Sequence, residues 1–137
     1  MKVIIDGSRS INDFDILKKA IVKSTFMITE VVSGGAKGAD LLGEKYALEE
    51  KIPCTIFKAL WNDLNVPNAI IKTNDYGKYN VRAGTDRNIK MGDYADALIA
   101  IWDGSSTGTK HMIEYMNGLC KKVFVYNIKE ELWNNYR

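Results

Sequence analysis

Three short segments of this chain gather small polar residues in a way that suits close approach to an anion. They are Gly7-Ser8-Arg9, Ser33-Gly34-Gly35-Ala36-Lys37-Gly38 and Asp103-Gly104-Ser105-Ser106-Thr107-Gly108-Thr109. Glycine lets the backbone come near a ligand, and the first N–H groups of a helix have no partner within the helix. Together with the helix dipole, such groups favour a phosphate. The second and third segments each precede a helical pattern, so the chemistry they point to is the capture of one charged ligand between two turns. The expected donors are the backbone N–H groups of Gly34 to Gly38 and of Ser106 to Thr109, with the Thr109 hydroxyl and Arg87.

Each of these residues also has a plainer reading. A single glycine cluster is common turn punctuation. Two clusters at equivalent positions after strands are harder to dismiss. Arg82 and Arg87 could fork onto a phosphate or simply face solvent. Asp40 and Asp103 could accept ribose hydroxyls, although helix capping explains Asp40 nearly as well. His111 is the only histidine. It and Glu114, one turn further along, are weak catalytic candidates, and a structural role suits His111 better than a general base. Trp61 could stack on a base, with packing as the default for a lone Trp. Two standard motifs are excluded by spacing. Gly34-Gly35-x-x-Gly38 is not the G-x-G-x-x-G dinucleotide fingerprint, and Gly104-x-x-x-Gly108-Thr109-Lys110 is one residue short of a P-loop with Thr and Lys reversed.

The elements that must position these turns follow from apolar patterning. Val3-Ile4-Ile5, Ile28–Ser33, Cys54–Phe57, Ala97–Trp102 and Lys122–Tyr126 read as strands. Ala97–Trp102 is apolar throughout, as expected of a strand buried on both faces of a parallel sheet. Between them lie helical patterns. Asn12 or Asp13 caps the first, with Phe14, Leu17 and Ile21 on one face. Ala39, Leu42 and Tyr46 mark the second, and Thr85–Tyr94 the third. Thr107 or Thr109 caps the fourth, with Met112, Met116 and Leu119 on one stripe. A short terminal helix is expected from about Lys129. Ala59–Gly84 reads as a long loop, of a length that is usually functional or mobile. The alternation predicts an α/β Rossmann-like three-layer sandwich, with a five-stranded parallel sheet in the order 3-2-1-4-5 and helices on both faces. Val3–Ile5 and Leu98–Ile101 should be adjacent at its centre.

Bulk properties narrow the partners. The chain has 137 residues, 46% of them apolar and 26% charged, with a formal net charge of +2. That length suits one domain, 1–137, with a loop insertion over about 62–84. The small charge and the lack of a basic stripe argue against nucleic acid. Cys54 and Cys120 have no metal or redox spacing, and no metal or cofactor is expected. No signal peptide or transmembrane run is visible, which gives the expectation of a cytoplasmic protein with no membrane partner. Apolar surface from Met112, Tyr115 and Met116 suggests a homodimer or higher homo-oligomer.

Taken in order, Gly7-Ser8-Arg9, the run from Ser33 to Asp40, Arg87-Asn88, Ala95–Ala100 and Trp102-Asp103-Gly104-x-Ser106-x-Gly108-Thr109 resemble the SLOG superfamily. This groups Smf/DprA proteins with LOG-type phosphoribohydrolases, and the best resemblance is to its YspA-related branch of small bacterial and phage proteins. The resemblance runs from Lys2 to Tyr126, with Asn62–Asp75 looking like an insertion. It implies a nucleotide-type ligand at the glycine turns: AMP, ADP-ribose or an NAD-derived signal. It also brings Lys37, Asn88 and Gly104 into the expected site. Hydrolases of the superfamily carry two glutamates shortly after the Thr of their last glycine turn. Here those positions are His111 and Met112. The expectation is therefore a sensor or capture module without turnover. The alternative is an N-glycosidic phosphoribohydrolase acting on nucleoside monophosphates, or a related nucleotide-cleaving enzyme.

Overall fold

The computed structural model describes residues 1–129. The strands are β1 (Lys2–Gly7), β2 (Glu30–Ser33), β3 (Cys54–Ile56), β4 (Ile71–Asn74), β5 (Gly77–Asn80), β6 (Ala97–Trp102) and β7 (Lys122–Asn127). The helices are α1 (Phe14–Ser24), α2 (Ala39–Glu50), α3 (Ala83–Tyr94) and α4 (Thr107–Gly118). Five strands form a parallel sheet in the order β3-β2-β1-β6-β7. At its centre Ile4 pairs with Leu98 and Ile5 with Ile99.

The expected order 3-2-1-4-5 is corrected to 3-2-1-6-7. Two further strands, β4 and β5, intervene in the chain and pair antiparallel as a separate hairpin. They lie in the stretch expected to be a long loop. Every residue of β4 and the first two of β5 are exposed, so neither strand carries the apolar alternation that would reveal it. The terminal helix expected from about Lys129 lies outside the described residues.

The sheet is covered on both faces. Val3, Ile5, Val31, Ile99 and Ile101 meet Leu17, Ala20 and Ile21 of α1 and Ala39 and Ala47 of α2. Ile4, Val32, Leu98 and Ala100 meet Met91 of α3 and Met112 and Met116 of α4. Alternate residues of β1 and β6 thus serve opposite layers, which is the two-residue period of a strand. Asp13 caps α1, its Oδ1 accepting the Asp15 N–H at 2.9 Å. The cap expected of Thr107 or Thr109 is corrected: Ser106 holds that position, and α4 begins at Thr107. Met112 and Met116 are fully buried. The apolar face of α4 that suggested self-association is therefore core. Among the described residues no helix is long and apolar enough to cross a membrane.

Candidate functional site

Between β1 and β6 the chain connections turn to opposite sides of the sheet, and a ligand in an open α/β sheet is expected beyond the carboxyl ends of such strands. A cleft of about 540 Å³ lies there. Gly7, Ser8 and Arg9 after β1 line it, with Ala36 and Asp40 near the start of α2, Arg87 and Asn88 of α3, and Asp103 and Ser106–Thr109 at the start of α4. A smaller hollow of about 450 Å³ continues over Gly34–Lys37, sharing Arg9, Trp61 and Arg87 with the first.

The turn after β6 is held by Asp103. Its Oδ1 accepts the N–H groups of Ser105 and Ser106, both at 2.8 Å, and these bonds pull its carboxyl down to about 2. Ser106 is therefore spent as an anion donor. The N–H groups of Thr107, Gly108 and Thr109 have no acceptor among the described residues, as the first turn of a helix requires. A Cβ built on Gly108 meets nothing within 4 Å, so this backbone stands open to the cleft. Thr109 is buried, with its hydroxyl 3.4 Å from Ser106 Oγ.

The turn after β2 is bound more tightly to the protein. The Gly35 N–H donates to Ser33 Oγ at 3.1 Å, and the Ala36 N–H to Asp40 Oδ2 at 3.2 Å. A Cβ on Gly34 would fall 2.6 Å from Arg87 Nη1 and 2.8 Å from Asp40 Oδ2. Gly38 has φ +84° and its Cα packs onto the Ser8–Arg9 backbone, a Cβ lying 2.7 Å from Arg9 Cα. Glycine at 38 is thus demanded by the backbone, while glycine at 34 makes room for the Arg87 and Asp40 side chains. Lys37 lines the smaller hollow.

Arg87 bridges the two turns. Its Nη1 donates to the Gly34 carbonyl at 2.5 Å and its Nε to Asn88 Oδ1 at 3.1 Å. Asn88 in turn reaches the Gly108 carbonyl at 3.4 Å and His111 Nδ1 at 3.3 Å. One Arg-Asn step on α3 therefore ties the β2 turn to the start of α4. A guanidinium has five donors, so Arg87 keeps others for a ligand.

Beneath this layer sits a pair of carboxyl groups. Asp40 is 2% exposed, and its Oδ1 is buried with no hydrogen-bond partner among the described residues. Burial and the adjoining Asp6 carboxyl push Asp40 up to about 9. Asp6, at the end of β1, is raised too, chiefly by burial, against the opposing pull of its hydrogen bond with Asp40, the Gly7 N–H and the Arg87 charge. Two like charges this close cannot both persist, so the pair holds a proton at neutral pH. Sequence reading missed Asp6. The only available signal was an acid at the carboxyl end of an otherwise apolar central strand.

Other expected residues fall elsewhere. Glu114 pairs with Lys110 at 3.9 Å on the exposed side of α4. His111 stacks on Tyr115. Neither lines the cleft. Arg82 precedes α3 and donates to the Asn68 carbonyl at 3.4 Å, also away from it. Gly104 makes the turn after Asp103 with φ +84°. Trp61 packs against Gly84 and walls both hollows. Among the described residues no group of acids, histidines and cysteines could hold a metal ion.

Comparison with known proteins gives one match. No curated protein and no solved structure matches the chain. The model of the YAcAr family, described as the YspA, cpYpsA-related SLOG family, matches residues 1–63, which carry β1, the β2 turn, α2 and β3. Over that segment the chain is similar to the YspA-related branch of the SLOG superfamily.

Proposed function

We propose that the cleft captures the phosphate of a nucleotide or nucleotide-derived small molecule, such as AMP, ADP-ribose or an NAD-derived signal, and that residues 1–137 act as one sensing or capture domain. The observation that carries this reading is the start of α4. The N–H groups of Thr107, Gly108 and Thr109 lack acceptors among the described residues, and these residues line, with Arg87, a cleft of about 540 Å³. An anion there completes the helix end and meets its positive dipole. The Gly7-Ser8-Arg9 turn closes the cleft from the other side, Lys37 lines the adjoining hollow, and Asp103 is the acceptor within reach for sugar hydroxyls, whereas Asp40 is buried. Similarity to the SLOG superfamily is compatible with nucleotide-related binding or processing.

Turnover is not part of this proposal. The two glutamates of the hydrolytic relatives are His111 and Met112 here, and Met112 is buried in the core. One observation favours the hydrolytic alternative. A carboxyl group that stays protonated at neutral pH is what a general acid needs, and the Asp6–Asp40 pair, which lines the cleft, holds such a proton. Incubation with AMP, NAD and ADP-ribose, followed by chromatography for free base, tests both readings. The expected result is no release above the uncatalysed background. Release that disappears in Asp6→Asn would establish the hydrolytic reading instead.

A further inference from the structure

A second compartment of about 570 Å³ opens beside the cleft, and it is the apolar one. Ile56 at the end of β3, Leu60 beyond it, Val66 and Pro67 of the following segment, and the face of α3 bearing Ala83 and Ile89 surround it. Arg87 lines this compartment, the cleft and the smaller hollow, and Lys58 lines the compartment and the hollow. All three spaces therefore meet the Arg87 side chain.

Its roof is a built structure. Asn80 is 1% exposed. Its Oδ1 accepts the N–H groups of Ile70 at 3.2 Å and Arg82 at 3.1 Å, and its own N–H donates to the Trp61 carbonyl at 2.7 Å. The Val81 N–H adds a bond to the Ile70 carbonyl at 2.8 Å. One buried amide thus pins the foot of the β4–β5 hairpin to the start of α3 and to Trp61. The hairpin and the segment before it hold Val66 and Pro67 over α3.

The walls remain unsatisfied. Leu60 is 50% exposed and Ile56 45% exposed, facing a concavity sized for a small ligand. Asp86, half-buried on the same face of α3, has no side-chain partner among the described residues. Apolar walls that also carry Lys58, Arg87, Lys90 and one carboxylate without a side-chain partner suit a flat ring that bears a hydrogen-bond donor.

We propose that this compartment receives the base of the ligand whose phosphate sits at the start of α4, and that Asp86 selects bases carrying an exocyclic amino group. The proposal rests on the phosphate reading above and adds the ligand's second half. Burying the ring removes Ile56 and Leu60 from water. The Asp86 carboxylate accepts from the amino group and finds no such donor on uracil.

Calorimetric titration of the full chain with AMP, GMP, CMP, UMP, ribose 5-phosphate and adenosine tests it. At least one amino-bearing monophosphate should bind ten-fold or more tighter than ribose 5-phosphate, with UMP the weakest of the four. Leu60→Asn should reduce that advantage about five-fold or more while changing ribose 5-phosphate less than two-fold. Asp86→Asn should erase the discrimination against UMP. Both positions are partly exposed, and circular dichroism confirms folding. If ribose 5-phosphate binds as tightly as every monophosphate, or neither variant changes the ratios, the base lies elsewhere and the inference falls while the phosphate reading stands. If adenosine binds in a Leu60-dependent manner and ribose 5-phosphate does not bind, the compartment stands and the phosphate reading falls. If nothing binds, both fall.

Discussion

The Asp6–Asp40 pair ties the chemistry of the site to the stability of the protein. Asp40 goes from 3.8 when unfolded to about 9 when folded, so the native state holds more protons than the unfolded chain between those values. Stability then falls as pH rises through that window. The contribution is full below pH 3.8 and fully lost by about pH 9. The limiting slope is about 1.4 kcal/mol per pH unit for one whole proton. Asp40→Asn keeps the shape and an acceptor for the Ala36 N–H, so it should flatten this decline. Urea unfolding at pH 5, 7 and 9 checks it, and a variant with the parent's slope would contradict the account of the pair. Arg87 acts at the same scale. Arg87→Ala removes the bonds to Gly34 and Asn88 and the charge facing the cleft. Ligand affinity should fall about 10- to 100-fold, the equivalent of ~1.5–3 kcal/mol for a charge-assisted contact. Titration against the parent reads this directly.

The turns separate into those that build the fold and those that face the ligand. Gly38 is of the first kind. Gly38→Ala places a Cβ against Arg9 and strains φ +84°, and should cost about 1–3 kcal/mol of stability in denaturant unfolding. Gly108 is of the second kind. Gly108→Val enters open space, so the fold should survive while the cleft loses its anion. Asn80→Ala leaves the part-buried Ile70 and Arg82 N–H groups without their acceptor, at about 1 kcal/mol for each lost bond, and should loosen the hairpin foot. Faster amide exchange at Ile70 and Arg82 would report it. Much of this level was legible beforehand. Continuous apolar runs gave away β1 and β6, and glycine clusters marked the turns, because burial and backbone geometry leave local traces. The hairpin left none, since six of its eight strand residues are exposed. The role of Asp6 was hidden as well, because its partner Asp40 lies 34 residues away and meets it only in the folded sheet.

At the scale of the molecule, the five-stranded sheet sets the start of α4, the Arg87-Asn88 bridge and the roofed compartment around the Arg87 side chain. The turns at 33–38 and 103–109 were recognisable as a site in outline, but not the division of labour between them. Asp40 and Asp103 already occupy the Ala36 and Ser106 N–H groups that sequence reading assigned to the ligand. Self-association is a separate proposal, without support from the α4 face because Met112 and Met116 are core. A mass by light scattering at micromolar concentration tests it, a homodimer being the expected result. The central claim concerns the phosphate at the start of α4. Its most direct test is calorimetric titration of the parent and folded Gly108→Val with the tightest ligand from a thermal-shift panel of AMP, ADP-ribose and NAD. A ligand at a hundred times its dissociation constant adds about 2.7 kcal/mol of stability, enough to register in the panel. The account predicts saturable one-to-one binding by the parent and at least a ten-fold weaker affinity for Gly108→Val. Equal affinity in the two proteins would contradict it.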